Sequence, residues 1–173
     1  LGTDFCIPFA GQENVEFSPG LLFRCADLPQ LCIGVEICED LWVADTPSTR
    51  LAQGGATLIL NPSASDETVC KDDYRRTLLS ATSGRLVCGY VYADAGWGES
   101  STDLIYAGHS LIAENGTILA QRRFETGLTV TELDLEKLCH ERQRMSTFPA
   151  DAPDLFPQYF RLNVAETTLT RPV

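Results

Sequence analysis

Short apolar runs punctuated by turn residues dominate the chain. Leu21 to Cys25 reads as a brief strand after the Ser18-Pro19-Gly20 turn signal, and Leu31 to Ile37 as a firmer one. Thr46-Pro47 supplies an N-cap and a first helical position, so a short helix is predicted to Gln53, where Gly54-Gly55 stops it. Thr57 to Leu60 is a buried strand that ends at Asn61-Pro62. A polar loop from Ser63 to Thr68 leads to a helix over about Val69–Ser83, with Gly84 as its C-cap. Leu86 to Tyr92 is apolar enough to be buried on both faces. A long strand from about Leu104 to Ala113, the turn pair Asn115-Gly116 and Thr117 to Arg123 predict a hairpin. Leu128 to Leu133 reads as a further strand, and Asp134 as the cap of a helix running to Met145. After Phe148, three prolines within nine residues (Pro149, Pro153, Pro157) predict an extended linker or docking arm.

These elements make a layered α and β domain with a mixed sheet. The helices are too few to cover both sheet faces, so the architecture is expected to be incomplete in this chain. Composition narrows the functional classes. With 173 residues a real core is affordable, and a formal net charge of −11 argues against nucleic acid or an anionic membrane as partner. No stretch has the length and apolarity of a transmembrane helix. The start, Leu1-Gly2-Thr3-Asp4, has neither a signal peptide's basic and apolar regions nor a methionine, which suggests a piece of a longer protein. Seven cysteines, an odd number without a CxxC pair, read as reduced intracellular thiols. The two histidines, His109 and His140, give no zinc spacing. His109 reads as structural within the hairpin strand and His140 as solvated on the last helix.

The stretch Val35-Glu36-Ile37-Cys38-Glu39-Asp40-Leu41-Trp42 carries the candidate chemistry. Cys38 ends a buried strand, and ligands of α and β layered proteins gather beyond the carboxyl ends of strands. A nucleophile there could use the next backbone N–H, that of Glu39, to stabilise an oxyanion. The alternative is a plain core cysteine. Nearby carboxylates disfavour a thiolate, and no activating cation or base is legible within the chain. Residues 63–76 combine hydroxyls, a helix start and Lys71, which suits a carboxylate ligand, although a solvated helix face explains them as well. Gly96 and Gly98 around Trp97 do not make a nucleotide-binding loop.

Four blocks together, GVEICEDLW, LNPSASDETVCKDDYRR, CGYVYADAGWGESSTDLIYAGHSLIAENGTILAQ and ERQRMSTF, resemble the glutamine amidase domain of glutamine-dependent NAD synthetases, in the nitrilase or carbon–nitrogen hydrolase superfamily. The resemblance covers about residues 20–150. It implies a nitrilase-like α-β-β-α sandwich, incomplete here, with residues 1–148 as the C-terminal part of the amidase domain and 149–173 as a linker. It also implies a Glu-Lys-Cys triad with Cys38 as nucleophile, an oxyanion donor at the Glu39 N–H, and a glutamine pocket formed by Glu39, Trp42, Ser65 and Lys71. Ser65 and Lys71 fall where the family holds the α-amino and α-carboxylate groups. Many relatives carry arginine where Lys71 stands, and lysine lacks arginine's two-pronged fork. The family's catalytic Glu and Lys belong to a segment before Leu1. Its ATP- and Mg-using synthetase domain, with an SGGxDS phosphate loop, belongs after Val173. No cofactor is expected in this chain itself. A homo-oligomer, a cytoplasmic location and an inactive isolated piece are expected. The resemblance leaves Glu36 and Asp40 as supports of the fold and Glu39 as the residue facing substrate. Competing readings are a stand-alone amidase of the superfamily and a non-catalytic structural or interaction module.

Overall fold

The structure is a computed structural model that describes residues 5–149 and 155–162. Its strands are β1 (Phe5–Phe9), β2 (Gln12–Phe17), β3 (Leu21–Cys25), β4 (Cys32–Val35), β5 (Leu58–Ser63), β6 (Gly89–Asp94), β7 (Ser110–Glu114), β8 (Thr117–Arg122) and β9 (Phe156–Phe160). Three α-helices are interspersed: α1 (Pro47–Gln53), α2 (Lys71–Leu86) and α3 (Leu135–Arg144).

Seven strands form one sheet in the order β8-β7-β6-β5-β4-β3-β9. Its centre, β4-β5-β6, is parallel, with Ile33 opposite Leu58 and Leu60 opposite Val91. Parallel neighbours need a crossover, and α1 and α2 provide the two crossovers here. Strand alternation sends Leu22, Cys32, Ile59, Tyr90, Tyr92, Leu111 and Ala113 to the face that α1 and α2 cover, where they join Leu41, Leu51 and Leu79 in the core. Gly34 permits close packing on this face: a Cβ there would stand 3.0 Å from that of Leu51, tighter than ordinary van der Waals contact. The other face shows Ile33, Val35, Leu58, Leu60 and Val91 only half buried. The described residues contain no second sheet layered on it.

Most predicted elements are present, and the departures have physical causes. The hairpin turn holds Asn115 at φ 44° and Gly116 at φ 89°, the paired left-handed turn that Asn-Gly favours. The long strand predicted from Leu104 is paired only from Ser110. Before that, Gly108 turns to φ 58° and its N–H donates to Ala95 O at 3.0 Å, so the chain folds back over the loop after β6. His109 therefore precedes the strand and does not lie in it. Leu128–Leu133 alternates like a strand but pairs with none among the described residues: Leu128 and Val130 are exposed, and Arg122 binds Thr126 O and Leu128 O across the bend at 2.7 and 2.6 Å. Gly84 is not a C-cap. The helix runs on to Leu86, Val87 takes the left-handed cap at φ 47°, and Gly84 gives α2 close approach to Gly116. Asp134 does cap α3, accepting from the Lys137 N–H at 2.9 Å.

Two elements were not anticipated. Residues 5–17 form the β1–β2 hairpin around Ala10 and Gly11, both at positive φ, with Phe5 stacked near Phe17 at 5.0 Å. Within the predicted linker, β9 adds a parallel edge strand to β3, pairing Phe156 with Leu21 and Phe160 with Cys25. Residues 1–4, 150–154 and 163–173, which include most of the rest of that linker, lie outside the described residues.

Candidate active site

The carboxyl ends of β4, β5 and β6 meet at one edge of the core, and the candidate residues gather there. Glu36, the residue after β4, is 1 % exposed, and Ile37 is still extended. Cys38 then adopts φ 52°, a conformation uncommon for any residue with a Cβ, and opens a single 3-10 turn, Cys38–Leu41. Such strain persists only where the surroundings hold it, and three contacts do so. The Cys38 N–H donates to Asn61 Oδ1 at 2.9 Å. The Ile37 N–H donates to Asp40 Oδ2 at 2.8 Å. Leu41 is fully buried as an anchor.

Beneath the turn runs a buried chain of hydrogen bonds. Asn61 Nδ2 donates to the Tyr90 hydroxyl at 3.1 Å, and that hydroxyl donates to Glu36 Oε1. Glu36 Oε2 accepts from the Ser48 N–H at 2.8 Å, near the start of α1. Burial first, and then the charge of Glu36, push the Tyr90 phenol up, so Tyr90 stays a donor and holds the carboxylate in place. Cys38 is half buried. The Glu39 N–H has no acceptor among the described residues, which leaves a donor free one residue after the sulfur. No cation or base among the described residues hydrogen-bonds to the Cys38 sulfur.

Trp42 closes the turn and packs at 5.5 Å against Tyr74 of α2. The Lys71 ammonium stands 5.7 Å from the centre of the Trp42 ring and is paired with Asp66. Trp42 and Lys71, two of the residues that the resemblance implies for the pocket, thus lie next to each other. Ser65 is held by other groups: its N–H donates to Asp94 Oδ1 at 2.8 Å, and its hydroxyl accepts from Arg75 Nη2 at 3.4 Å. No hydrogen bond joins Ser65 to Cys38 or Lys71 among the described residues.

Arg75 organises this loop. It is fully buried, bonded to Glu67 at 3.1 Å and to His109 Nδ1 at 2.9 Å, and it lies 5.7 Å from the centre of the Tyr92 ring. Glu67 also binds Arg123 at 3.0 Å, and Arg123 binds Asp72 at 2.8 Å. Burial, reinforced by the Arg75 charge, pushes the His109 imidazole down to about 4, so it is neutral and accepts from Arg75. Burial pushes the Asp94 carboxyl up to about 6 against the opposing pull of two backbone N–H groups and Arg75. Asp94 Oδ2 and Arg75 Nε have no partner among the described residues. Asp66 is held below the usual carboxylate range by its hydrogen bond to Lys71. Among the described residues no group of three or more His, Cys, Asp and Glu is placed to hold a metal ion.

Asn61 and Tyr90 escaped sequence reasoning. Asn61 looked like a strand end and Tyr90 like one more apolar position. Asp66, Tyr74 and Arg75 lay inside the noted stretch 63–76 without any signal to separate them from a solvated helix face.

A strained, half-buried cysteine thus stands just beyond a strand end, with the Glu39 N–H beside it. The chain belongs to the carbon-nitrogen hydrolase family, whose model matches residues 7–142. It is 45% identical over 141 residues to a glutamine-dependent NAD(+) synthetase of Mycobacterium tuberculosis, a match covering 80% of this chain and 21% of that protein. The crystal structure of a glutamine-dependent NAD(+) synthetase from Cytophaga hutchinsonii superposes with a TM-score of 0.57 at 31% identity, over 71% of this chain and 19% of that one. Saccharomyces cerevisiae Nit3, a nitrilase-superfamily member, superposes at 0.58 with 23% identity over 67% of this chain and 42% of its own, which shows the shared α/β fold. The chain therefore spans about a fifth of the length of the curated relatives it matches. No helix among the described residues is long and apolar enough to cross a membrane.

Proposed function

We propose that this chain is the cysteine-bearing part of the glutamine amidase domain of a cytoplasmic, oligomeric glutamine-dependent NAD synthetase. Residues 1–148 belong to the amidase domain, and 149–173 lead toward the synthetase domain. The observation that carries the reading is Cys38 at φ 52°, pinned by Asn61, with the Glu39 N–H free beside it.

The Cys38 sulfur attacks the side-chain amide carbon of glutamine. Negative charge collects on the amide oxygen, which the Glu39 N–H receives. Ammonia leaves, a glutamyl thioester remains, and water cleaves it to glutamate and free thiol. Trp42, Ser65 and Lys71 bind the substrate, with Lys71 neutralising its α-carboxylate. A lysine and a glutamate from a preceding segment of the parent activate the thiol, so the isolated piece is inactive. Ammonia passes to the synthetase domain, which amidates deamido-NAD. ATP and magnesium belong to that domain, and no residue of this chain is assigned to them.

In the full-length parent, Cys38→Ala should abolish glutamine-dependent NAD synthesis and leave synthesis from free ammonia intact. Loss of both activities would refute the assignment. Glu39→Ala should weaken use of glutamine and spare use of ammonia, since its side chain is assigned to the pocket. A stand-alone amidase would show amide hydrolysis with no ammonia-dependent synthesis.

A further inference from the structure

A cavity of about 290 Å³ opens between α2 and the C-terminal end of β8. Arg76, His109, Arg122 and Arg123 are in its wall, and none of the residues assigned to the glutamine pocket is. Three arginines and two carboxylates, those of Asp72 and Glu125, therefore line it, in a chain whose net charge is −11. Asp72 is committed to Arg123 at 2.8 Å, and Glu125 is exposed, where water screens it.

Donors at this cavity are left without acceptors. His109 is 2% exposed. A guanidinium only donates, so the 2.9 Å contact with Arg75 Nη1 makes His109 Nδ1 the acceptor and puts the ring proton on Nε2. Burial and the Arg75 charge keep the ring neutral, so Nδ1 carries no proton of its own. Nothing among the described residues accepts from the Nε2–H. A buried donor is costly unless a ligand or water meets it. Arg123 Nε is also buried without an acceptor among the described residues. Arg76 is exposed, and no hydrogen bond or ion pair holds its guanidinium among them.

We propose that this cavity binds a small oxyanion of the phosphate class, held by Arg76 and by the His109 Nε2–H. The site does not depend on the glutamine reading. A cation there would sit beside three guanidiniums. An oxyanion satisfies Arg76 and His109 at once, and arginine's planar fork matches its oxygens. The volume lies just below the ~300–1,000 Å³ of pockets for drug-sized ligands, so the cavity suits a free ion or the terminal group of a phosphomonoester.

The test uses the full-length parent. Crystals soaked in sodium tungstate should show anomalous density in the cavity, within hydrogen-bond distance of Arg76 and of His109 Nε2. Calorimetric titration with inorganic phosphate at constant ionic strength should give an affinity that Arg76→Gln lowers about tenfold, the loss of one charge-assisted contact. Phosphate held by a synthetase domain is common to both proteins and cancels in the comparison. Arg76 has no partner to lose among the described residues, so the variant keeps its fold. Ribose 5-phosphate, titrated in the same way, identifies the source. Tighter binding than that of phosphate, lowered by Arg76→Gln, makes the ligand a phosphomonoester, and weaker binding makes it the free ion. No density in the cavity overturns the proposal, as does a phosphate affinity that Arg76→Gln leaves unchanged. Density without binding in solution marks an adventitious ion only and overturns it too.

Discussion

Two arginines hold opposite ends of the sheet, and their partners differ in kind. At the amino ends of β5 and β6, Arg142 of α3 donates only to main-chain carbonyls: Val87 at 2.9 Å, Leu86 at 3.0 Å, Ala56 at 2.6 Å and, more loosely, Ala52 at 3.5 Å. These carbonyls lie around the C-terminal ends of α1 and α2, where a cation suits the helix dipole. The guanidinium also stacks on Phe148 at 4.8 Å. At the carboxyl ends, Arg75 is bonded to a carboxylate, an imidazole and a hydroxyl, and its Nε is left over. The first arrangement closes helix ends and packs on one ring. The second spends a buried charge on holding side chains of one loop, and it leaves buried polar atoms unpartnered beside Ser65. Unsatisfied polar groups are costly, and both ends carry some among the described residues: Arg75 Nε and Asp94 Oδ2 at the carboxyl ends, Gln30 Oε1 beside Thr57 at the amino ends.

Substitutions can break this contrast. The largest effect is expected for Arg75→Met, which removes a partner from the buried Glu67 carboxylate. It should cost about 3–5 kcal/mol and raise the glutamine KM of the parent through Ser65, as read by denaturant midpoints and steady-state kinetics. Arg142→Met should cost less, about 2–3 kcal/mol, and leave the glutamine KM alone. A KM that rises for Arg142→Met as well would end the distinction between the two ends. Tyr90→Phe leaves Glu36 Oε1 without its hydroxyl donor and should cost about 1–3 kcal/mol. Because Tyr90 supports Asn61 and thereby the strained Cys38, kcat should fall more than KM rises.

The smallest effect is a pH dependence. His109 is pushed down to about 4 from an ordinary 6.5, so between those values the unfolded chain binds more protons, and stability falls as pH drops through that window. Asp94 is pushed up to about 6 from 3.8 and runs the other way: its native state binds more protons there, and stability falls as pH rises. The two partly cancel in the native protein. His109→Gln removes the first alone. From pH 7 to pH 5 its urea midpoint should therefore fall less than that of the unaltered protein. An equal fall would mean that His109 is not buried in its neutral form.

Much of this was legible in the residues. Local signals suffice where one element decides its own shape: Pro47 and Asp134 start helices, Asn115-Gly116 turns a hairpin, and β3 stands where its apolar run lies. The cysteine block and its resemblance pointed to Cys38, Glu39 and Trp42, and the structure sets all three on one turn. Elsewhere local signals misled. Leu128–Leu133 has the alternation of a strand, but a strand needs a neighbour, and the described residues offer it none. Gly84 looked like a helix stop. It proved to be the place where α2 meets the β7–β8 turn, and Val87 accepted the left-handed cap instead.

By itself the sequence determined the binary pattern, the order of helices and strands, and the position of the cysteine at a strand end. These depend on neighbours a few residues apart, which a linear string records. Only the tertiary structure decided what supports that cysteine and what faces it. Asn61 and Tyr90 reach the Cys38 turn from two other strands. Arg75 meets His109 from 34 residues away, and Lys71 meets Trp42 across the gap between a helix and a loop. Such contacts exist because parallel strands align their carboxyl ends in space, and no spacing along the chain encodes that alignment.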